Sequence, residues 1–204
     1  MSLDLRAMSV LSTETLLNGY ANGIFPMASV DGKIEWYEAE PRAVLEIDRY
    51  HIPHEVRRQL RQGRFEIRFD TAFVQVVRCC AQRAETWISE EIIRAYTELH
   101  RAGYAHSVEA WQETRLVGGL YGVQLGGAFF GESMFFHGPG ASKAALATLC
   151  ERLQRQRFVL HDVQQMTPTL ALFGAKLISK QEYLARLAIA IRLPRRFSLF
   201  SSEI

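Results

Sequence analysis

The chain has 204 residues, 48% hydrophobic and 23% charged, enough apolar material for one large domain or for a small domain beside a larger one. A formal net charge of +2 gives no global signature of a polyanion binder, so any nucleic-acid contact must come from local clusters. Cys79, Cys80 and Cys150 are odd in number and form no CxxC pair, which argues against a disulfide framework or zinc site and fits a reducing cytosol; no apolar run is long enough to span a bilayer, and the first ten residues carry no signal core.

Residues 13–22 read as a helix, capped by Ser12 or Thr13 and stopped by Gly23. Lys33–Tyr37 and Ala43–Ile47 read as short strands around a turn at Pro41. Pro53 suits the start of a helix running to Gln62. Phe65–Phe69 alternates as a strand, and Asp70 is placed to cap a helix through Gln82. Ser89 can cap a helix over 90–102 that Gly103 ends. Tyr104–Trp111, Arg115–Leu125 and Gly127–Phe136 follow with short turns between them, which predicts an antiparallel meander. The loop "HGPGASK" leads into a helix over 141–156, a strand over 157–163, a short helix from Pro168 and a strand over 175–178. Ser179 and Glu182 make a capping-box pattern for a last helix over 180–191, which Pro194 stops. This order predicts an α+β protein whose mixed, largely antiparallel sheet includes a strand-helix-strand crossover. A weakly marked boundary near residues 65–70 is expected to separate a small mixed N-terminal domain, 1–65, from a larger domain, 66–204.

Several stretches can carry chemistry. Arg57, Arg61 and Arg64 share one helix face, with Arg58 and Arg68 beside them, and only Glu55 and Glu66 lie near in sequence to neutralise the row. Such a row either follows successive phosphates of a nucleic acid or is a solvated face. A second group, Arg186, Arg192, Arg195 and Arg196, reads as surface charge. In "GGAFFGESMFF", alternation puts Phe130, Glu132 and Met134 on one side and Phe129, Gly131, Ser133 and Phe135 on the other, unless a bulge near Gly131 reshuffles them. The loop "HGPGASK" opens a helix N-terminus able to hold an anion or a polarised carbonyl oxygen, but it lacks the GxxxxGK[ST] spacing and reads more simply as a tight turn. In "LHDVQQ", residues 160–165, Asp162 and Gln164 face one side of a strand with Phe158 and Leu160 further along it, while His161 and Gln165 turn away. An acid and a carboxamide ending an apolar wall are either a strand-end turn or a polar pair offered to a ligand. The chain contains no evident Ser-His-Asp set, HExxH motif or dinucleotide fingerprint.

Taken together, "GYANGIFPM", "WYEAEPRAVL", "TWISEEIIRAYTELHRAGYAHSVEAW", "RLVGGLYGVQLGGAFFGESMF", "ASKAAL" and "HDVQ" make the chain resemble the leucyl/phenylalanyl-tRNA–protein transferase family from about residue 13 to residue 190. The resemblance implies a small N-terminal domain and a C-terminal domain of GNAT-type acyltransferase fold. It implies transfer of leucine or phenylalanine, and also methionine, from charged tRNA to the α-amino group of proteins that begin with Arg or Lys, marking them for N-degron proteolysis. It implies no metal and no cofactor, and the chain is expected to act in the cytoplasm as a monomer. By the same resemblance the catalytic pair is Asp162 and Gln164, and Trp87 stacks on the terminal adenosine of tRNA. The side-chain pocket draws on Phe129, Met134, Leu146, Leu149 and Leu153 with Glu132 at its rim, and the tRNA contacts lie at Arg57, Arg58, Arg61 and Arg64.

Elementary chemistry suits these assignments. An aminoacyl ester is already activated, so the protein must chiefly place an amine against it. A carboxamide cannot serve as a base near neutrality, but Gln164 can accept a hydrogen bond from the amine; Asp162 is expected to orient that carboxamide and stabilise developing positive charge, and whether it also takes the proton is left open by the sequence. Departures from the family pattern are Met27 for a tryptophan, Val163 for a cysteine between the pair, Thr169 for a histidine, and Leu149 and Leu153 for phenylalanines. "FSR…NASK" also reads Phe136-His137…Gly140-Ala141-Ser142-Lys143, without the arginine and the asparagine. Smaller pocket residues are expected to favour phenylalanine or methionine. Two competing readings are a CoA-dependent N-acyltransferase, binding at Gly138–Lys143, and a non-catalytic tRNA-binding relative.

Overall fold

The structure, a computed structural model, describes residues 11–197. The N-terminal decapeptide judged to lack a signal core lies outside them.

The chain begins with helix α1 (Thr13–Ala21), capped by Ser12, whose hydroxyl accepts from the Thr15 N–H. Strands β1 (Phe25–Ala28) and β2 (Ile34–Tyr37) pair antiparallel as a separate two-stranded sheet. After the cis Glu40–Pro41 bond comes β3 (Arg42–Leu45), which does not pair with β2. Helix α2 (His54–Arg61), β4 (Glu66–Phe69), α3 (Phe73–Ala81) and α4 (Glu90–Arg101) lead to the meander β5 (Ala105–Gln112), β6 (Arg115–Leu125) and β7 (Ala128–Phe136). Then come α5 (Ala141–Arg155), β8 (Leu160–Gln164), α6 (Pro168–Leu172), β9 (Lys176–Ile178) and α7 (Lys180–Ala190). The fold is therefore α+β, with a seven-stranded mixed sheet in the order β4-β5-β6-β7-β8-β3-β9. Only the β7–β8 pair is parallel, and α5 is the crossover between them.

Apolar periodicity explains the layering. On one face of the sheet, Leu16 and Tyr20 of α1, Phe73, Val76 and Val77 of α3, Ile92, Tyr96 and Leu99 of α4 and Leu187 of α7 form one buried cluster. On the other, Val56 of α2, Leu146, Leu149, Cys150 and Leu153 of α5 and Phe173 form a second. Cys150 is thus a packing residue, and burial pushes its thiol pKa well up.

The structure corrects three local expectations and realises the bulge allowed for near Gly131. Asp70 does not cap α3. Its backbone is left-handed at φ 57°, and its carboxylate accepts from the Ser107 N–H at 2.8 Å and meets His106 Nδ1 at 2.8 Å. The fully buried Glu109 instead takes the Thr71 and Ala72 N–H groups ahead of α3, each at 3.0 Å. The strand expected over 157–163 starts only at Leu160, because Arg157 (φ 57°) closes α5; Phe158 consequently packs in the second cluster, apart from Leu160 in the first. The strand expected over 43–47 ends at Leu45. Finally, Tyr121 pairs with Ser133 and Gly122 with Gly131, so Glu132 is an extra residue in a bulge. Met134 is thereby moved to the cluster of Phe129, while Phe130 and Phe135 share the other.

One glycine fixes where α5 can sit. A Cβ on Gly118 of β6 would stand 2.5 Å from the Ala141 Cβ and 2.9 Å from the Ser142 nitrogen. Gly118→Ala is expected to cost about 1–3 kcal/mol of stability, as overpacking does, in a urea titration. An unchanged midpoint would show that α5 is not seated by that contact.

Candidate active site

The site forms where two parallel strands part. β7 and β8 pair from Ala128↔Leu160 to Phe130↔Asp162 and no further. Beyond that point β7 bulges at Glu132, and β8 ends in a tight turn at Gln164. The Gln165 N–H returns to the Val163 carbonyl at 2.7 Å, a three-residue turn centred on Gln164, whose φ is 61°. A left-handed glutamine is an uncommon, strained backbone that its surroundings must impose.

Asp162 imposes it. Its Oδ1 accepts the Gln164 backbone N–H at 2.9 Å. The same carboxylate holds Arg42 of β3 by two bonds, Nε to Oδ1 at 2.9 Å and Nη2 to Oδ2 at 2.7 Å, and accepts the Tyr183 hydroxyl of α7 at 2.7 Å. Arg42 Nη1 also donates to the Gly23 carbonyl at 3.0 Å, and its guanidinium lies over the rings of Phe25 and Tyr183. Arg42 is 1% exposed and Asp162 0%. Burial works against the charge of Arg42, but the neighbouring Asp162 outweighs it and raises the guanidinium pKa.

The Gln164 side chain has another partner. Its Nε2 donates to Glu132 Oε1 at 2.8 Å. Glu132 Oε2 accepts from the Tyr96 hydroxyl at 3.2 Å, and Tyr96 is in turn bonded to the Tyr20 hydroxyl. With its nitrogen toward Glu132, the amide leaves its oxygen without a donor among the described residues. Asp162 therefore sets the backbone of Gln164, while Glu132 orients its carboxamide; the expectation that Asp162 orients the carboxamide is corrected. Burial pushes the Glu132 carboxyl from 4.5 up to about 7; the bonds from Tyr20, Tyr96 and Gln164 oppose that rise, and the nearby Asp162 adds to it.

These groups open onto a pocket of about 290 Å³. Trp87, Glu132, Gln164, Leu146 and Leu149 all line it, so five of the sequence-predicted residues converge. Phe129 and Leu153 are fully buried behind the wall, and Met134 packs with them in the second cluster. Asp162 does not line the cavity. Trp87 is held at the mouth by its carbonyl, which accepts the Ala28 N–H of β1 at 3.1 Å; Met27 and Phe25 of that strand also face the cavity. The arginine row is exposed and stands apart: Arg57 and Arg61 line a groove with Thr148, Glu151 and Gln154 of α5. Arg58 is paired with Glu55 through two 2.8 Å bonds, and Arg64 lies over the Phe65 ring. Among the described residues no carboxylate is within ion-pair distance of Arg57, Arg61 or Arg64.

Arg42, Tyr96 and Tyr183 were not read as site residues from the sequence. An arginine entering the apolar run "RAVL" is itself a signal, because a cation in a buried strand needs an anion. Tyr96 falls on the apolar stripe Ile92, Ile93, Leu99 and is indistinguishable there from a packing residue.

Comparison with known proteins identifies the family. A family model for leucyl/phenylalanyl-tRNA protein transferase matches residues 44–188, and one for the N-terminal domain of that family matches residues 9–40. A leucyl/phenylalanyl-tRNA–protein transferase of Rubrobacter xylanophilus is 52% identical over 92% of this chain and 99% of its own length. One from Gloeobacter violaceus is 52% identical over 92% of this chain and 97% of its own. The chain belongs to the leucyl/phenylalanyl-tRNA–protein transferase family. The solved structure of L-PGS from Bacillus licheniformis is similar only at a TM-score of 0.43, with 13% identity over 93% of this chain and 60% of that one.

The raised Glu132 pKa has a thermodynamic signature. The folded chain holds this proton more tightly than the unfolded chain, so the contribution of Glu132 to stability falls as pH rises from 4.5 to about 7 and is flat above. Glu132→Gln removes that loss. The melting temperature of the variant, relative to the parent, is expected to climb across this window and then level off. A difference that stays constant from pH 4 to 8 would refute the raised pKa.

Proposed function

We propose that the protein moves leucine, phenylalanine or methionine from charged tRNA to the α-amino group of proteins that begin with Arg or Lys, marking them for proteolysis. One observation carries the reading: the free oxygen of the Gln164 carboxamide, fixed at the mouth of a largely apolar pocket with Trp87 on its rim. The aminoacyl side chain enters the pocket and the terminal adenosine stacks on Trp87. The acceptor amine donates a hydrogen bond to Gln164 Oε1, which aims its lone pair at the ester carbonyl. Attack forms the C–N bond and breaks the C–O bond to the ribose; the amine loses one proton and the ribose oxygen gains one. Asp162, sealed beneath Arg42 and Tyr183, acts by holding Gln164 in place. Glu132 also lines the cavity, and its ionised form supports a cationic first residue on the acceptor. The exposed arginines 57, 61 and 64, beside Arg58, supply a backbone contact for tRNA.

The seating of α5 weighs against a CoA-dependent reading. The Ser142 nitrogen is packed on Gly118, the Ala141 N–H is bonded to the Gly138 carbonyl, and Gln59 covers Gly140, so these groups of the loop 138–143 are already occupied. Among the described residues no helix is long and apolar enough to cross a membrane. Together with the free thiols this supports a cytoplasmic location, and we take the acting unit to be a monomer.

The test mixes the protein with labelled Phe-tRNA and an Arg-starting acceptor and follows label into the acceptor. Transfer is expected, with Gln164→Ala lowering kcat/KM by about 100-fold, the scale of a misplaced reactant. Trp87→Ala should act mainly on KM for the charged tRNA. Binding of tRNA without transfer would favour a non-catalytic relative, and full activity in Gln164→Ala would remove that residue from the mechanism.

A further inference from the structure

The pocket is aliphatic on one wall, where Leu146, Leu149, Val163 and Leu170 face it, except for one group. His161 precedes Asp162 on β8 and points the other way, into the cavity. It is 1% exposed, and its Nε2 is buried without a hydrogen-bond partner. Gly131 lines the same cavity, and a Cβ placed on it would stand 3.8 Å from that nitrogen, so glycine keeps the space beside Nε2 free of a side chain. The rings of Phe129 and Tyr50 meet the imidazole edge-on, each at 5.9 Å, and fix its orientation.

The hydrogen position follows from the neighbours. Burial pushes the imidazole pKa down to about 3, so the ring is neutral and has one donor and one acceptor nitrogen. The Tyr50 hydroxyl lies 3.1 Å from His161 Nδ1 and also meets the Cys150 thiol. A neutral imidazole nitrogen is a much better acceptor than a thiol sulfur, so the hydroxyl proton goes to Nδ1 and the thiol donates to the hydroxyl oxygen. The remaining ring proton sits on Nε2, directed into the pocket.

A buried N–H without a partner is costly, and the occupant decides whether that cost stays. Leucine offers it no acceptor. A methionine sulfur is a weak acceptor, and the face of a phenylalanine ring attracts an N–H. Resting on the transferase reading above, we propose that His161 is a specificity-determining residue whose Nε2–H reads the end of the donor side chain and ranks methionine and phenylalanine above leucine.

Transfer rates with Met-, Phe- and Leu-tRNA test this in the parent, in His161→Leu and in Tyr50→Phe. The parent is expected to favour methionine and phenylalanine over leucine in kcat/KM, and His161→Leu to lower both ratios about five-fold, the scale of one unmet hydrogen bond. Tyr50→Phe leaves His161 in place but releases its tautomer, and should lower the ratios in the same direction; a merely space-filling histidine would not respond to it. If His161→Leu does not fold, Tyr50→Phe decides alone. Unchanged ratios in the folded variants, or a parent that moves leucine faster than both, overturn the proposal. A parent that transfers none of the three overturns the transferase reading instead.

Discussion

The structure turns on one buried ion pair, Arg42 with Asp162, both withdrawn from solvent. Taking two charges out of water is expensive, and the pair is tolerable only because its hydrogen bonds are nearly complete. Arg42 gives two bonds to the carboxylate and one to the Gly23 carbonyl, and Tyr183 and the Gln164 N–H supply the carboxylate with two more donors. The pair thus joins the segment after α1, strand β3, strand β8 and helix α7 at one point. Removing one partner strands a buried charge, at a cost of about 3–5 kcal/mol in comparable cases.

From that point the site follows. β8 is held between β7 and β3, and its last residue is bent into a left-handed turn by the Asp162 carboxylate. β7 leaves the pair through its bulge, which puts Glu132 across from the Gln164 amide. Two neighbouring polar residues of one short strand therefore do different work. Asp162 fixes a backbone, while Gln164 presents an oxygen. Glu132 links that oxygen's orientation to the buried hydroxyls of Tyr96 and Tyr20. The carboxamide of Gln164 is not a base, which suits an activated ester that needs placement more than activation.

Much of this was legible in the sequence, for reasons that can be named. Caps such as Ser12, Ser89 and Ser179 are local chemistry, and each accepts its N–H as the pattern requires. The three meander strands show in their alternation and turns. Trp87, Glu132, Gln164, Leu146 and Leu149, distant in sequence, line one cavity. What failed was long-range or irregular. Glu109 displaces Asp70 before α3 from 37 and 38 positions away. The bulge at Glu132 depends on its pairing with β6, so strict alternation misplaced Met134. Arg42 lies 120 residues from Asp162, and no local spacing connects them.

The central claim is that Asp162 acts through its pairing with Arg42, holding Gln164, and not by taking a proton. A double-mutant cycle in kcat/KM for peptide-bond formation tests it, using Arg42→Gln, Asp162→Asn and both together. If the pair only positions, exchanging it for two amides relieves the stranded charge, and the double variant should be more active than either single variant, with a coupling of at least about 1 kcal/mol. A double variant no more active than Asp162→Asn alone would contradict the account and return the carboxylate to the reaction itself.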